Sequence, residues 1–467
     1  MLPRGRFHVM KSRNEIDFCH GPLFQRMLAF VFPLILSSLL QLSFNAADMA
    51  VIGRFASVES LGAVGGTAAL CNFLLTFAMG LGIGVNVVVS HAVGAGEAKR
   101  ISRSVHTSLL VALYGGLLFM IVSLLAARPL LGLMRVPEKV FERSCLYMRI
   151  FSYGIPPMVF YNFGGAILRS IGDTKRPLCY LSAAGAINVA LNLLFVIRFD
   201  MDVAGVAWAT VISQGCSALM IALALAREKG PLRLIPSQLR IDPELFSGLL
   251  RIGLPAGVQS ACFSFSNMII QSAVNSLGTL ALAGNTAAHA LEGFVYVIGY
   301  AFSQAVVSIV GQNYGGNHPA RIRASIRQCG ISATVAMLAT GLPLLFFGRT
   351  CLRAFTMDPG AIEWGIDRMS IILPTYFMCS MMDLSSGALR GIGRSLAPTI
   401  ISLVFVILLR VIWVFFVFPL WPTMTCLIIS YPVSWILATS ANALVFRKNM
   451  RDIFGPDLHP LVKSPVS

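Results

Sequence analysis

The sequence predicts an all-α membrane protein of twelve transmembrane helices, arranged as two six-helix, pseudo-symmetric lobes. Three observations carry this. The 467 residues are 56% hydrophobic and only 12% charged, about half the charged fraction of an ordinary soluble domain. Long apolar runs alternate with short basic clusters, the signature of a polytopic chain. The two halves also repeat. Leu168-Arg-Ser-Ile-Gly172-Asp-Thr-Lys-Arg-Pro177 recurs from Leu389 as Leu-Arg-Gly-Ile-Gly393-Arg-Ser-Leu-Ala-Pro398, identical at five of ten positions. Val64-Gly-Gly-Thr-Ala-Ala69 recurs as Ala283-Gly-Asn-Thr-Ala-Ala288, and Pro33 as Pro255. The three pairs are separated by nearly the same length of chain. A near-constant shift across half a chain means duplication, and in an apolar chain it points to a secondary transporter built from repeats.

Taken in order, residues 1–23 form a polar, basic N-terminal segment (Arg4, Arg6, Lys11, Arg13) with no apolar signal-peptide region. The N-lobe, 24–226, holds spans at 24–53, 61–93, 104–127, 142–168, 178–198 and 204–226. A hydrophilic linker, 227–245, carries Gly230, Pro231 and Pro236. The C-lobe, 246–446, holds spans at 246–275, 281–313, 325–347, 364–389, 396–419 and 423–446, and a tail covers 447–467. About 20 residues cross the hydrocarbon, so the longer spans tilt or project.

With the N-terminus inside, 24 Lys and Arg fall in inner segments and 8 in outer ones. This bias places both termini in the cytoplasm, and a multi-pass protein of the cell's inner or plasma membrane is expected. The net charge of +16 is then explained by loops beside anionic lipid rather than by nucleic acid. Six spans per half give both repeats one orientation, with a substrate cavity expected between them. Pro33 and Pro255, and Pro156 with Pro374, sit inside spans. Each bends its helix, either as a fixed packing kink or as a joint that moves.

The ten cysteines are scattered, without CxxC or Cys/His metal spacing, and read as small apolar side chains. Gly80-Leu-Gly82-Ile-Gly84 superficially resembles a phosphate loop but lies within an apolar span, not after a strand. His91 and His106 flank a cytoplasmic loop and read as solvated. With no HExxH, Walker or GxSxG motif, the chain does not read as an enzyme, and no cofactor is expected.

Several local patterns share a family likeness. They are Asp48-Met-Ala-Val-Ile-Gly53-Arg54 after a proline-containing first helix, Gly94-Ala-Gly96 and Gly315-Gly316 before basic loops, Gly205-Val-Ala207-Trp-Ala209-Thr210 opening the sixth span, and the two LRxxG turns. From about residue 20 to 446 the chain resembles the MATE family of multidrug and toxic compound extrusion transporters. The resemblance implies export of organic, cationic or amphipathic, small molecules. It also implies two six-helix lobes alternating between openings, and coupling to inward flow of H⁺ or Na⁺. A monomer is expected, with membrane lipid as its surroundings and no nucleic-acid partner.

An ionised carboxylate at bilayer depth is costly, and three acids fall well inside the spans: Asp48, Glu292 and Asp383. Asp48 stands 22 residues after Arg26, roughly 33 Å along a helix, and matches the family's first-helix aspartate. It can take a proton or coordinate Na⁺ through oxygen, or serve as a structural hydrogen-bond acceptor. Asn188 and Asn192, one turn apart, and Thr210 supply neutral oxygens. They match the spacing of a family Asn-x-x-x-Asp pair and its threonine, except that Asn192 replaces the aspartate. The missing charge weakens Na⁺ binding and leans the reading towards H⁺.

Glu292 and Asp383 are C-lobe candidates for substrate or proton. The carry-over is approximate, because Phe263 and Ser264 stand where some members have a seventh-span glutamate. Likewise Cys379 stands where others have a tenth-span aspartate. Arg410 is grouped with Glu292 and Asp383 as a C-lobe binding candidate, with a static ion pair to Glu292 as the alternative reading. His289, one turn before Glu292, is a relay or a simple hydrogen-bonding group. A lipid-linked saccharide flippase of the same superfamily is the alternative. It needs a cation-rich cavity, whereas intramembrane acids outnumber clear intramembrane cations three to one by this reading.

Overall fold

A computed structural model describes residues 15–55, 57–134 and 136–455; most of the N-terminal segment and of the tail lies outside them. The elements are helical throughout: α1 (Leu23–Phe55), α2 (Val58–Ala95), α3 (Ala98–Leu133), α4 (Glu138–Tyr153), α5 (Ile155–Ser170), α6 (Lys175–Leu193), α7 (Asp202–Arg227), α8 (Pro243–Asn275), α9 (Thr279–Gly315), α10 (Pro319–Phe346), α11 (Gly348–Leu352), α12 (Pro359–Gly391), α13 (Leu396–Ser402), α14 (Leu409–Ile412) and α15 (Met424–Phe454). In lipid each backbone polar group must be satisfied within its own segment, and helices do this. Among the described residues, nine helices are long and apolar enough to cross a membrane on their own. The remaining three of the twelve spans are α4 with α5, α8 and α12. The first is broken, and the other two carry Gln259, Asn267, Arg368 and Asp383 within their length. The fold is the expected all-α, twelve-helix, two-lobe arrangement.

The expected fourth span, 142–168, is not one continuous helix. It is interrupted at Gly154, and Pro156 falls in the first turn of α5 rather than inside a helix. A proline there forfeits no hydrogen bond, so Pro156 sits at a joint, while Pro374 remains inside α12. Pro33 and Pro255 stay inside α1 and α8.

The repeated ten-residue motif has a conformational reason. Gly172 and Gly393 have φ of 85° and 81°, a region that costs a glycine nothing. Asp173 N–H donates to Leu168 O (3.0 Å) and Gly172 N–H to Arg169 O (3.0 Å). Arg394 N–H donates to Leu389 O (2.9 Å) and Gly393 N–H to Arg390 O (2.7 Å). Both turns are the same helix stop, which satisfies the last carbonyls of α5 and α12.

The chain forms two compact units. One comprises residues 15–17 and 28–257, the other 18–27 and 258–455. α1 and α8 therefore contribute to both. In the first unit Ile101, Val105, Leu109, Val159, Phe163, Ile167 and Ile221 pack one apolar cluster, while Val51, Ile52, Tyr147, Ile150 and Val206 pack another. The glycines of the second span serve helix packing. A Cβ at Gly84 would collide with the Leu249 carbonyl, and one at Gly80 with Gly257. Small residues let membrane helices approach closely where apolar burial contributes little.

The linker is strapped to the first unit. Thr107 Oγ1 donates to Arg240 O (3.3 Å) and accepts from Asp242 N–H (3.1 Å), and Arg103 pairs with Asp242 (2.8 Å). Ile235 N–H donates to His106 Nε2 at 3.1 Å, leaving Nδ1–H for Ser102 O at 2.7 Å. His106 is consequently buried, not solvated as the sequence suggested. The second unit packs around Val274, Val295, Met337, Ile372, Leu373, Met382, Leu427 and Trp435.

Candidate functional site

In the first unit the structure brings together Asp48, Asn188 and Asn192. The asparagines lie one turn apart on α6 and project the same way. Asn192 Nδ2 donates to Asp48 Oδ1 at 2.5 Å and to Asn188 Oδ1 at 3.3 Å. Asp48 is half-buried, and both asparagines are buried. Asn192 Oδ1 is buried with no hydrogen-bond partner. An orphaned buried acceptor beside a carboxylate is a place for a proton or a hard cation. Thr210 is not part of this hydrogen-bonded cluster. Its hydroxyl donates to Val206 O at 3.1 Å within its own helix, a local bond that needs no ligand.

In the second unit Glu292 pairs with Arg368, not with Arg410 as in the alternative reading. Arg368 Nε donates to both Glu292 oxygens (3.0 and 3.2 Å), and Nη2 donates to Oε2 (2.7 Å). Arg368 Nη1 donates to Asn285 Oδ1 at 2.8 Å. Asn285 Nδ2 reaches Gln271 Oε1 at 3.0 Å. α9 and α12 pack along much of their length, which holds residue 368 opposite residue 292. Arg410, on α14, reaches neutral groups only. Its Nε and Nη2 point to Ser434 Oγ (3.3 and 3.1 Å), Nη1 to Asn267 Oδ1 (3.4 Å), and Tyr431 lies 4.1 Å under its guanidinium.

Asp383 is half-buried on α12, near Tyr296 and Arg390. Arg390, assigned to an inner loop from sequence, is buried and donates to Gln259 Oε1 at 2.6 Å. His289 is 3.9 Å from Glu292 with a side chain 68% exposed, so it lies at the edge of the pair. Sequence reasoning missed Arg368 as the partner, because Arg368 and Arg410 both stand in apolar spans and either could face Glu292. It also missed an aromatic ladder. Tyr431, Trp435, Tyr376, Tyr296 and Tyr300 follow one another at centroid separations of 5.7, 5.7, 6.0 and 5.9 Å.

The balance of buried charges reverses. In the second unit Arg368, Arg390 and Arg410 are buried, against buried Glu292 and half-buried Asp383. The expected excess of acids does not hold in this lobe.

The profile of the MatE family matches the chain twice, over residues 33–194 and 255–416. Among curated relatives, "Probable multidrug resistance protein YpnP" of Bacillus subtilis is 26% identical over 83% of this chain and 87% of its own. The "FAD transporter" of Shewanella oneidensis is 24% identical over 86% and 89%. A solved structure described as the outward-facing conformation of a multidrug resistance MATE family transporter superposes with a TM-score of 0.88 at 20% identity, covering 95% of this chain and 99% of its own. With both repeats matched and the whole fold shared, the chain belongs to the MatE family and is a multi-pass membrane transporter of small molecules.

Proposed function

We propose that the protein is a cation-coupled antiporter that exports amphipathic organic compounds by alternating access, with Asp48 as the coupling group. The observation that carries this is the Asp48–Asn192–Asn188 cluster, a carboxylate beside an orphaned amide oxygen. The expectation of multidrug export comes from the relatives named above. One of them is named for FAD, so kinship alone does not set the charge of the cargo.

H⁺ is favoured over Na⁺. A site with one carboxylate and neutral oxygens offers a hard cation little charge, whereas a proton needs a single acceptor. Protonation of Asp48 removes the charge that Asn192 Nδ2 now faces. The amide can then rotate and present Oδ1 to the new O–H, giving two hydrogen-bonded states of the α1–α6 contact. Binding of the coupling ion to one state and substrate to the other yields antiport. The protein would act as a monomer in the inner membrane with both termini cytoplasmic, the orientation that the Lys and Arg bias supports.

The test is reconstitution in liposomes with a pH gradient or a Na⁺ gradient imposed separately. A pH gradient alone is expected to drive flux of amphipathic dyes, and Asp48→Asn to abolish it at unchanged expression and melting temperature. Wild-type flux in that variant would remove Asp48 from the mechanism. Flux that follows only Na⁺ would replace the proton.

A further inference from the structure

We propose that Arg410, with Tyr431 and the aromatic ladder beside it, is a binding site for the anionic group of a planar aromatic compound, so that the cargo is an aromatic carboxylate or phosphate rather than an organic cation. This rests on the transport reading above and names its substrate class.

Arg410 is 2% exposed, and its partners are two neutral side-chain oxygens, Ser434 Oγ and Asn267 Oδ1, at 3.1 to 3.4 Å. Among the described residues no carboxylate lies within 4.0 Å of it. The buried carboxylate beside these arginines is engaged elsewhere, since Glu292 holds Arg368 through three hydrogen bonds, and Asp383 lies near Tyr296 and Arg390. Among the described residues of this lobe's interior, three arginines against two carboxylates leave one positive charge over. A guanidinium taken out of water without a counter-charge is costly, and chains retain such groups where a ligand supplies the charge. Its planar fork of N–H donors matches a carboxylate or phosphate bidentately.

The surroundings fit the rest of such a ligand. The Tyr431 ring centroid lies 4.1 Å from the Arg410 guanidinium carbon, and the ladder continues from it through Trp435 and Tyr376 to Tyr296, whose ring is exposed. Asn267, the partner at 3.4 Å, is itself exposed, so its long bond is the one a ligand oxygen would replace. Arg410 also sits in a single α-turn between two π-helical stretches, Leu403–Leu408 and Trp413–Val417. Such turns widen the helix and recur at functional sites.

Fluorescein and rhodamine 123 share a xanthene ring and differ in charge, one anionic and one cationic. Binding is read by fluorescence polarisation on purified full-length protein in detergent, without any gradient. The wild type is expected to bind fluorescein in preference to rhodamine 123. Arg410→Gln is expected to weaken fluorescein about ten- to a hundredfold, the range for losing hydrogen bonds to a charged group, and Arg410→Lys to recover part of the loss. Asn267→Asp keeps the guanidinium and changes an exposed residue, but supplies the site with its own anion. It is expected to abolish fluorescein binding with the melting temperature held.

Preference for rhodamine 123 in the wild type, or fluorescein binding untouched by both Asn267→Asp and Arg410→Gln, overturns the proposal. Displacement of fluorescein by a polyprenyl diphosphate but not by benzoate overturns the aromatic class in favour of lipid-linked cargo. Because binding needs no coupling ion, failure of gradient-driven flux would strike the antiport reading and leave this result standing.

Discussion

Substituting Glu292→Gln removes one charge of a buried pair and strands the other. Arg368 donates three hydrogen bonds to the Glu292 carboxylate and one to Asn285, and the Arg368 and Glu292 side chains are 5% and 1% exposed. Removing one partner of such a pair costs about 3–5 kcal/mol, mostly for the uncompensated charge left behind. A unit of this size loses about 2–4 °C per kcal/mol, so the melting temperature should fall on the order of 10 °C. Thermal unfolding in detergent, followed by tryptophan fluorescence, measures it. Adding Arg368→Gln to the first substitution replaces the charge with a second amide, and is expected to restore most of the loss. Should Glu292→Gln melt within about 2 °C of the wild type while transport collapses, the structural reading of the pair fails. Glu292 would then handle proton or substrate directly.

Asn192→Asp places a second carboxylate beside Asp48, within the 2.5 Å contact that Asn192 now makes. Two acids with the Asn188 oxygen raise the affinity for a hard cation, so Na⁺-driven flux should increase relative to H⁺-driven flux in separate-gradient assays; an unchanged ratio refutes the single-carboxylate argument. Thr210→Val removes a hydroxyl bonded only to Val206 O, and initial flux rates should stay within about twofold, a cost below about half a kcal/mol. A tenfold loss would return Thr210 to the ion site. With Asp48→Asn and Arg410→Gln, these variants separate the coupling cluster from the cargo site.

Much of the fold was legible because its causes are local and one-dimensional. Long apolar runs announce helices that satisfy their own backbone. The repeated Leu-Arg-x-x-Gly motif announced matching turns, and Gly172 and Gly393 share the same positive φ and hydrogen bonds. The joint at Gly154 was not legible, because a proline near mid-span reads equally well as a kink or as the first turn of a new helix. Burial of His106 was not legible either, since it depends on the linker returning 129 residues later to meet it.

The candidate sites divide along the same line. Asp48 with Asn188 and Asn192 could be named from spacing, because two residues one turn apart share a face and an intramembrane acid is rare. The partner of Glu292 could not, because Arg368 and Arg410 both stand in apolar spans and linear order carries no information about which helix faces which. The rotation of α12 against α9 made that choice. It also left Arg410 without an acid. The sequence by itself determined the class, the helix count, the duplication and the identities of the polar residues. Only the tertiary structure decided which charges cancel, because pairing depends on depth and azimuth. Those are set by side-chain packing between helices far apart in the chain.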